Sequence, residues 1–306
     1  MDTSVILQQM GVIVILVSIG IYLYKKGVVD SSTSPKLSTI VVDICNPALI
    51  LASILSGNIT ATHKDLLIGM VIGAAFYTFL IILGFILPRI LRVKPDDRRY
   101  YNMMTIYTNT GFIGIPVARA ILPENAILYV IVINVMYSLL FYTHGITVLS
   151  AGKEKMNLRR IFSPGTIMAV LALVVFWFRL TPPPIISNSI SYIGNPTVFL
   201  SMTVLGVSIA RSNLLGGLKN ARIWGYVIIR MILVPVMVAL ILRAFNVNRD
   251  AVLGVTLMAA VPIGNLPMIT AEKMGLDTEL LSTAIAVTTA VSIITITILM
   301  SIFSAI

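Results

Sequence analysis

Two short stretches of this 306-residue chain set helix breakers and amide side chains inside apolar segments. The first is NTGFIGIP, running from Asn109 through Thr110, Gly111 and Gly114 to Pro116. The second is VPIGNLP, from Val261 through Pro262, Gly264 and Asn265 to Pro267. Proline removes a backbone donor and clashes with the preceding turn, so one proline alone reads as a kink. Several breakers together, in two separate segments, predict helices that stop and restart. Each restart exposes free N–H groups and about half a unit of positive charge. Proline suits the first turn of a helix, so Pro116 and Pro267 are expected to open the second half-helices. Two such ends meeting would attract an anion. Asn109 and Asn265 would add amide donors and Thr110 a hydroxyl. The chemistry expected is the binding of a carboxylate-sized anion between the two stretches.

The elements that must hold these stretches read as membrane spans. The chain is 58% hydrophobic and 11% charged, with mean hydropathy +0.98, where a soluble domain carries about 25% charged residues. Apolar segments of roughly 20 residues, the length that crosses a hydrocarbon core, recur along it. Ten spans are placed at 4–24, 37–56, 66–88, 100–122, 126–148, 164–181, 190–210, 223–243, 251–271 and 280–303. Both breaker stretches fall in mid-span, at the fourth and the ninth. Unwound backbone at that depth is tolerated only where protein buries it or a wet cavity meets it. An all-α polytopic membrane protein without a soluble domain is expected. Met1 to Tyr24 has no Lys or Arg before its apolar run, so it reads as a retained first span rather than a cleaved leader.

The net charge of +10 would suit a nucleic-acid partner, but its placement argues for orientation in a lipid bilayer instead. With the N-terminus outside, sixteen of the 22 Lys and Arg fall in inner loops, among them Lys25, Lys26, Arg98, Arg99, Lys153, Lys155, Arg159 and Arg160. By the positive-inside rule both termini lie outside a plasma or inner membrane.

The second span holds NPALILASIL at Asn46 and the seventh NPTVFLSMTVL at Asn195, 149 residues on. Pro116 and Pro267 are 151 residues apart. These periods predict two five-span units, 1–152 and 153–306. An odd number of spans inverts the second unit, a plan common in secondary transporters, whose sites lie at the midplane between repeats.

Asp43 is the one acid, and Arg230 the one base, clearly inside a span. Each is about 10 Å from the inner surface at 1.5 Å per residue. Equal depth makes them expected partners. Asp43 then reads as a coupling or gating carboxylate, and Arg230 as its partner or as the substrate's counter-charge. Asn46, one turn beyond Asp43 on the same face, and Asn195 are further gating candidates. His144 reads as a packed, hydrogen-bonded histidine, and the Gly69–Gly73 pair as a helix-packing motif within the chain. Cys45 is the only cysteine, which rules out an internal disulfide or a cysteine metal site. There is no GxxxxGK[ST], GxSxG or HExxH motif, so neither an enzyme nor a cofactor is expected. The coupling ion stays open between proton and sodium.

NTGFIGIP resembles the NT-x-x-x-GIP motif of the auxin efflux carrier family, matched here by Asn109, Thr110, Gly114, Ile115 and Pro116. The tail is similar as well, with AAVPIGNLP, then AEKMGLD and LSTAIAV from Leu281. The long loop of plant members is absent, as in the prokaryotic-type members known as malate or malonate permeases. The resemblance implies crossed broken helices four and nine, as in bile-acid and sodium/proton carriers. It also implies an organic-anion substrate whose carboxylate meets Asn109, a moving body of spans three to five and eight to ten, and a homodimer formed through the others. A sodium-coupled carrier of the bile-acid type, or a channel, would share these features.

Overall fold

The computed structural model describes residues 3–30, 32–55, 59–152, 162–211 and 219–305. The inner-loop bases Lys153, Lys155, Arg159 and Arg160 lie outside the described residues, and the boundary drawn between the halves falls at their edge. In hydrocarbon every backbone N–H and C=O needs a partner, and a helix supplies it from within the same segment. The apolar runs accordingly form helices. These are α1 (Thr3–Lys25), α2 (Thr33–Leu55), α3 (His63–Ile90), α4 (Arg98–Ile106), α5 (Thr110–Ile121) and α6 (Glu124–Leu149). They continue as α7 (Pro164–Phe178), α8 (Pro184–Arg211), α9 (Ala221–Ala244), α10 (Arg249–Ala260), α11 (Asn265–Lys273) and α12 (Glu279–Ala305). Seven of them, α1, α2, α3, α6, α8, α9 and α12, are long and apolar enough to cross a membrane, and α5 and α7 are shorter apolar helices. The chain is a polytopic membrane protein. The stretches read as spans 100–122 and 251–271 are each two short helices, α4 with α5 and α10 with α11.

Three helices contain a π turn that ends two residues before a proline. Val41–Cys45 precedes Pro47, Thr110–Gly114 precedes Pro116, and Val227–Leu233 precedes Pro235. A π turn bonds i to i+5 and so carries one residue more than an α turn, which leaves a carbonyl over where the α ladder resumes. Proline lacks the N–H that would have claimed it. The two defects coincide and the helix continues. Pro116 does stand in the first turn of the α-helical part, Ile115–Ile121, but a π turn precedes it. The whole of α5 begins at Thr110, and Pro116 lies inside it.

α1 packs on α8, and α2 on α7 and α8. α3 packs on α4 and α6, while α10 packs on α6 and α9. Gly69 and Gly73 of α3 face Tyr129 and Met136 of α6, so this GxxxG does join two helices of one chain. Among the described glycines the tightest surroundings are between α1 and α8. A Cβ on Gly206 would lie 2.0 Å from the Val17 carbonyl oxygen, and one on Gly20 would lie 2.1 Å from that of Thr203. Only backbone fits between these helices. Gly206→Leu is expected to push them apart at a cost of about 3 kcal/mol or more. Melting of the purified protein in detergent, followed by tryptophan fluorescence, would show the loss.

Candidate functional site

The two breaks lie against each other. Asn109 N donates to the Pro262 carbonyl at 2.8 Å, and Gly264 N to the Tyr107 carbonyl at 3.1 Å, making an antiparallel bridge between Thr108 and Ile263. Ile263 N reaches Thr288 Oγ1 of α12 at 3.4 Å. Residues 107–109 and 261–264 are all buried. Each linker satisfies backbone groups of the other where no water would, which is what makes non-helical chain tolerable at this depth. Gly264 is required because a Cβ would lie 3.0 Å from both the Tyr107 and the Thr108 carbonyl oxygens.

Four helix ends converge here, the C-ends of α4 and α10 and the N-ends of α5 and α11. The last carbonyls of a helix have no internal partner and carry partial negative charge. Arg230 of α9 supplies both sets. It is 0% exposed, its Nε donates to the Thr105 carbonyl at 2.8 Å, and its Nη1 donates to the Ala259 carbonyl at 2.6 Å. One turn earlier on α9, the Tyr226 hydroxyl donates to the Met104 carbonyl at 2.7 Å.

The expected pairing of Asp43 with Arg230 is corrected by this geometry. Asp43 is exposed, on the π turn of α2, while the guanidinium is held by the two helix ends. Two ends of about half a negative charge each face the cation, and its buried Nη2 has no hydrogen-bond partner among the described residues. The same π turn winds more slowly than an α turn, so Asp43 does not share a face with the buried Asn46.

At the N-end of α5, Asn109 Oδ1 accepts from Phe112 N at 3.2 Å. Oδ1 is thus committed to its own helix, and Nδ2 is the donor group of that amide. The Thr110 hydroxyl donates to Asn134 Oδ1 of α6 at 3.0 Å. Asn46 Nδ2 donates to the Gly111 carbonyl at 2.9 Å. Gly111 stands five residues before Pro116, so this is the carbonyl that the π turn and the proline together leave over. Gly114 and Pro116 are buried in α5, with Gly114 against Met258 of α10. Asn265, half-buried, opens α11, and Pro267 is buried in its first turn as expected. Asn195 is exposed, at the Asn195–Pro196 turn that interrupts α8.

Sequence reasoning missed Asn134 and Tyr107. The first carried a signal, as a lone amide in the apolar run VIVINVM of α6. The site offers helix N-ends and amide or hydroxyl donors. Among the described residues no cluster of three His, Cys, Asp or Glu is placed to hold a metal ion.

A family profile described as membrane transport protein matches residues 5–158 and 148–300. An uncharacterised transporter of Methanocaldococcus jannaschii is 25% identical over 93% of this chain and 94% of its own length. Another, from Methanothermobacter thermautotrophicus, is 24% identical over 92% and 93%. The protein PIN-LIKES 1 of Arabidopsis thaliana is 30% identical over 29% of this chain and 21% of its own.

Arg230→Met keeps an apolar stem but removes both charge-assisted bonds, each worth about 1.5–3 kcal/mol. The variant is expected to melt well below the wild type. Arg230→Lys, a point charge without the planar fork, should recover only part of the loss.

Proposed function

The chain belongs to the membrane transport protein family that includes the auxin efflux carriers, and on that premise we propose that it is a secondary active carrier of small organic anions. The observation that carries this reading is the crossing itself. It joins two helix N-ends at a buried point, beside amide donors, while the matching C-ends are already neutralised by Arg230. A carboxylate is the ligand that such a place suits, since N-ends and amides both donate to it. Asn109 Nδ2 and the first turns of α5 and α11 would hold it. Thr110, Gly111, Gly114 and Pro116 frame one side, and Pro262, Gly264, Asn265 and Pro267 the other.

In this reading the chain has ten spans in two inverted units, 1–152 and 153–306, with both termini outside the plasma membrane. The helix packing supports a division of labour. α1, α2, α7 and α8 pack among themselves, and α1 and α8 meet backbone to backbone. Helices α4, α5, α6, α9, α10 and α12 share the bonds of the crossing, and α3 packs on α4 and α6. The second group would carry the anion past the first, exposing the site to each side in turn, and the first group would pair two copies as a homodimer. Contacts such as Asn46 to Gly111, made across the two groups, would break and re-form in each cycle.

The reading is tested by melting the purified protein with a panel of acetate, lactate, succinate, malonate and malate. One class of acid is expected to raise the melting temperature, by about 2.7 kcal/mol of stabilisation at a hundredfold excess over Kd. Asn109→Ala should lower the baseline by about 1 kcal/mol through loss of its cap and abolish the ligand shift. Stabilisation by no acid would contradict the reading, and so would an equal shift in the variant.

A further inference from the structure

The Tyr107 side chain ties the crossing to a titratable group. Its backbone carbonyl holds Gly264 of the other broken segment, while its ring runs into the π turn Phe141–Gly145 of α6. There it meets Tyr137 and Phe141 edge-on, with centroids at 5.6 and 5.1 Å. It also lies over Gly145, where a Cβ would be 3.0 Å from the ring. The Tyr107 hydroxyl is 2.8 Å from His144 Nδ1 and 3.0 Å from the Leu140 carbonyl oxygen. It has one hydrogen and two acceptors within reach.

We propose that His144, acting through Tyr107, is the group that carries a proton in the transport cycle, so that the coupling ion is H+. The proposal rests on the carrier reading above. When the imidazole is neutral with its hydrogen on Nε2, Nδ1 accepts the Tyr107 hydroxyl hydrogen. One proton taken up at Nδ1 gives the imidazolium, whose Nδ1–H donates to the Tyr107 oxygen. The phenol hydrogen then turns to the Leu140 carbonyl. Both charge states are thus satisfied by rotating one hydroxyl, and the change is made on the residue whose carbonyl closes the crossing. His144 is half-buried, so a proton can reach it, whereas the crossing is buried. The charges nominated from sequence do not have this position. Asp43 is exposed on α2, and Arg230 is held by two carbonyls.

The titratable groups near His144 are mostly phenols, Tyr107 from the linker and Tyr137 and Tyr142 on α6 itself. α4 brings Arg99, which stacks on Tyr100 and reaches the Leu149 carbonyl at 3.5 Å, one turn further along α6. α11, which also packs on this end of α6, carries Glu272 and Lys273 in its sequence. An imidazole changes charge between about pH 5 and pH 8, the range in which proton gradients operate.

Proteoliposomes loaded with a pH-sensitive dye, and given the labelled acids of the panel above, separate the two claims. Exchange of labelled for unlabelled acid reports substrate passage alone. Net uptake with dye response reports proton movement. In the wild type, net uptake is expected to move protons and to vary about 10-fold across the imidazole range. His144→Gln should exchange acid within about 3-fold of the wild type, yet lose the dye response and flatten the pH profile. Tyr107→Phe keeps the ring over Gly145 and removes the hydroxyl, and it should shift or flatten the same profile. It decides the matter if the glutamine variant does not fold. Exchange with an unchanged dye response and pH profile in these variants would overturn the proton role and leave the carrier reading standing. Exchange of no acid by the wild type would overturn the carrier reading, and this proposal with it.

Discussion

One buried guanidinium answers two helix C-ends, and the rest of the site follows from that. A helix broken within a membrane exposes carbonyls that water would otherwise solvate. Two broken helices double the problem. Placing their C-ends together lets one cation serve both, and Arg230 donates to Thr105 and Ala259 from full burial. The charge that would be costly alone is offset by two half-charges of opposite sign. The linkers then close on each other through the Thr108–Ile263 bridge. What is left at the crossing is the positive half of the arrangement, the N-ends of α5 and α11. The same construction that makes the breaks tolerable is what the proposed anion site would use.

A second constraint is the matching of backbone donors and acceptors around proline. Each of three π turns is followed two residues later by a proline, which removes a donor where the wider turn leaves an acceptor over. At Pro116 the acceptor is the Gly111 carbonyl, and Asn46 from another helix takes it. A defect in one helix becomes a bond between two. That bond lies between the helix group proposed to stay and the group proposed to move, so in that proposal it would be remade when the site changes sides.

Much of this was legible in the chain. Hydropathy over twenty residues is a strong and local signal, and it placed the apolar segments close to where helices form. Clustered Gly, Pro and Asn marked both breaks because each acts on its own backbone. Contacts made through space were not legible in the same way. Asp43 and Arg230 share a depth, but depth does not fix a neighbour, and helix ends rather than a carboxylate met the arginine. Asp43 and Asn46 share a face only if α spacing holds, and a π turn lies between them. Asn46 and Asn195 stand in the same NP dipeptide, yet one is buried against Gly111 and the other is exposed. Tyr107 and Asn134 looked like ordinary residues of apolar spans until the fold brought them to the crossing, while His144, read as a packed and hydrogen-bonded histidine, does meet the Tyr107 hydroxyl.

The central claim is that a carboxylate occupies the junction of the two helix N-ends. The most direct measurement is an experimental structure of the protein in lipid nanodiscs, determined with a saturating organic acid. The account predicts density for the acid between the first turns of α5 and α11, with Asn109 Nδ2 at hydrogen-bonding distance of its carboxylate. Arg230 should still hold Thr105 and Ala259. An acid bound directly to Arg230, or one seated away from a closed and unchanged crossing, would contradict it.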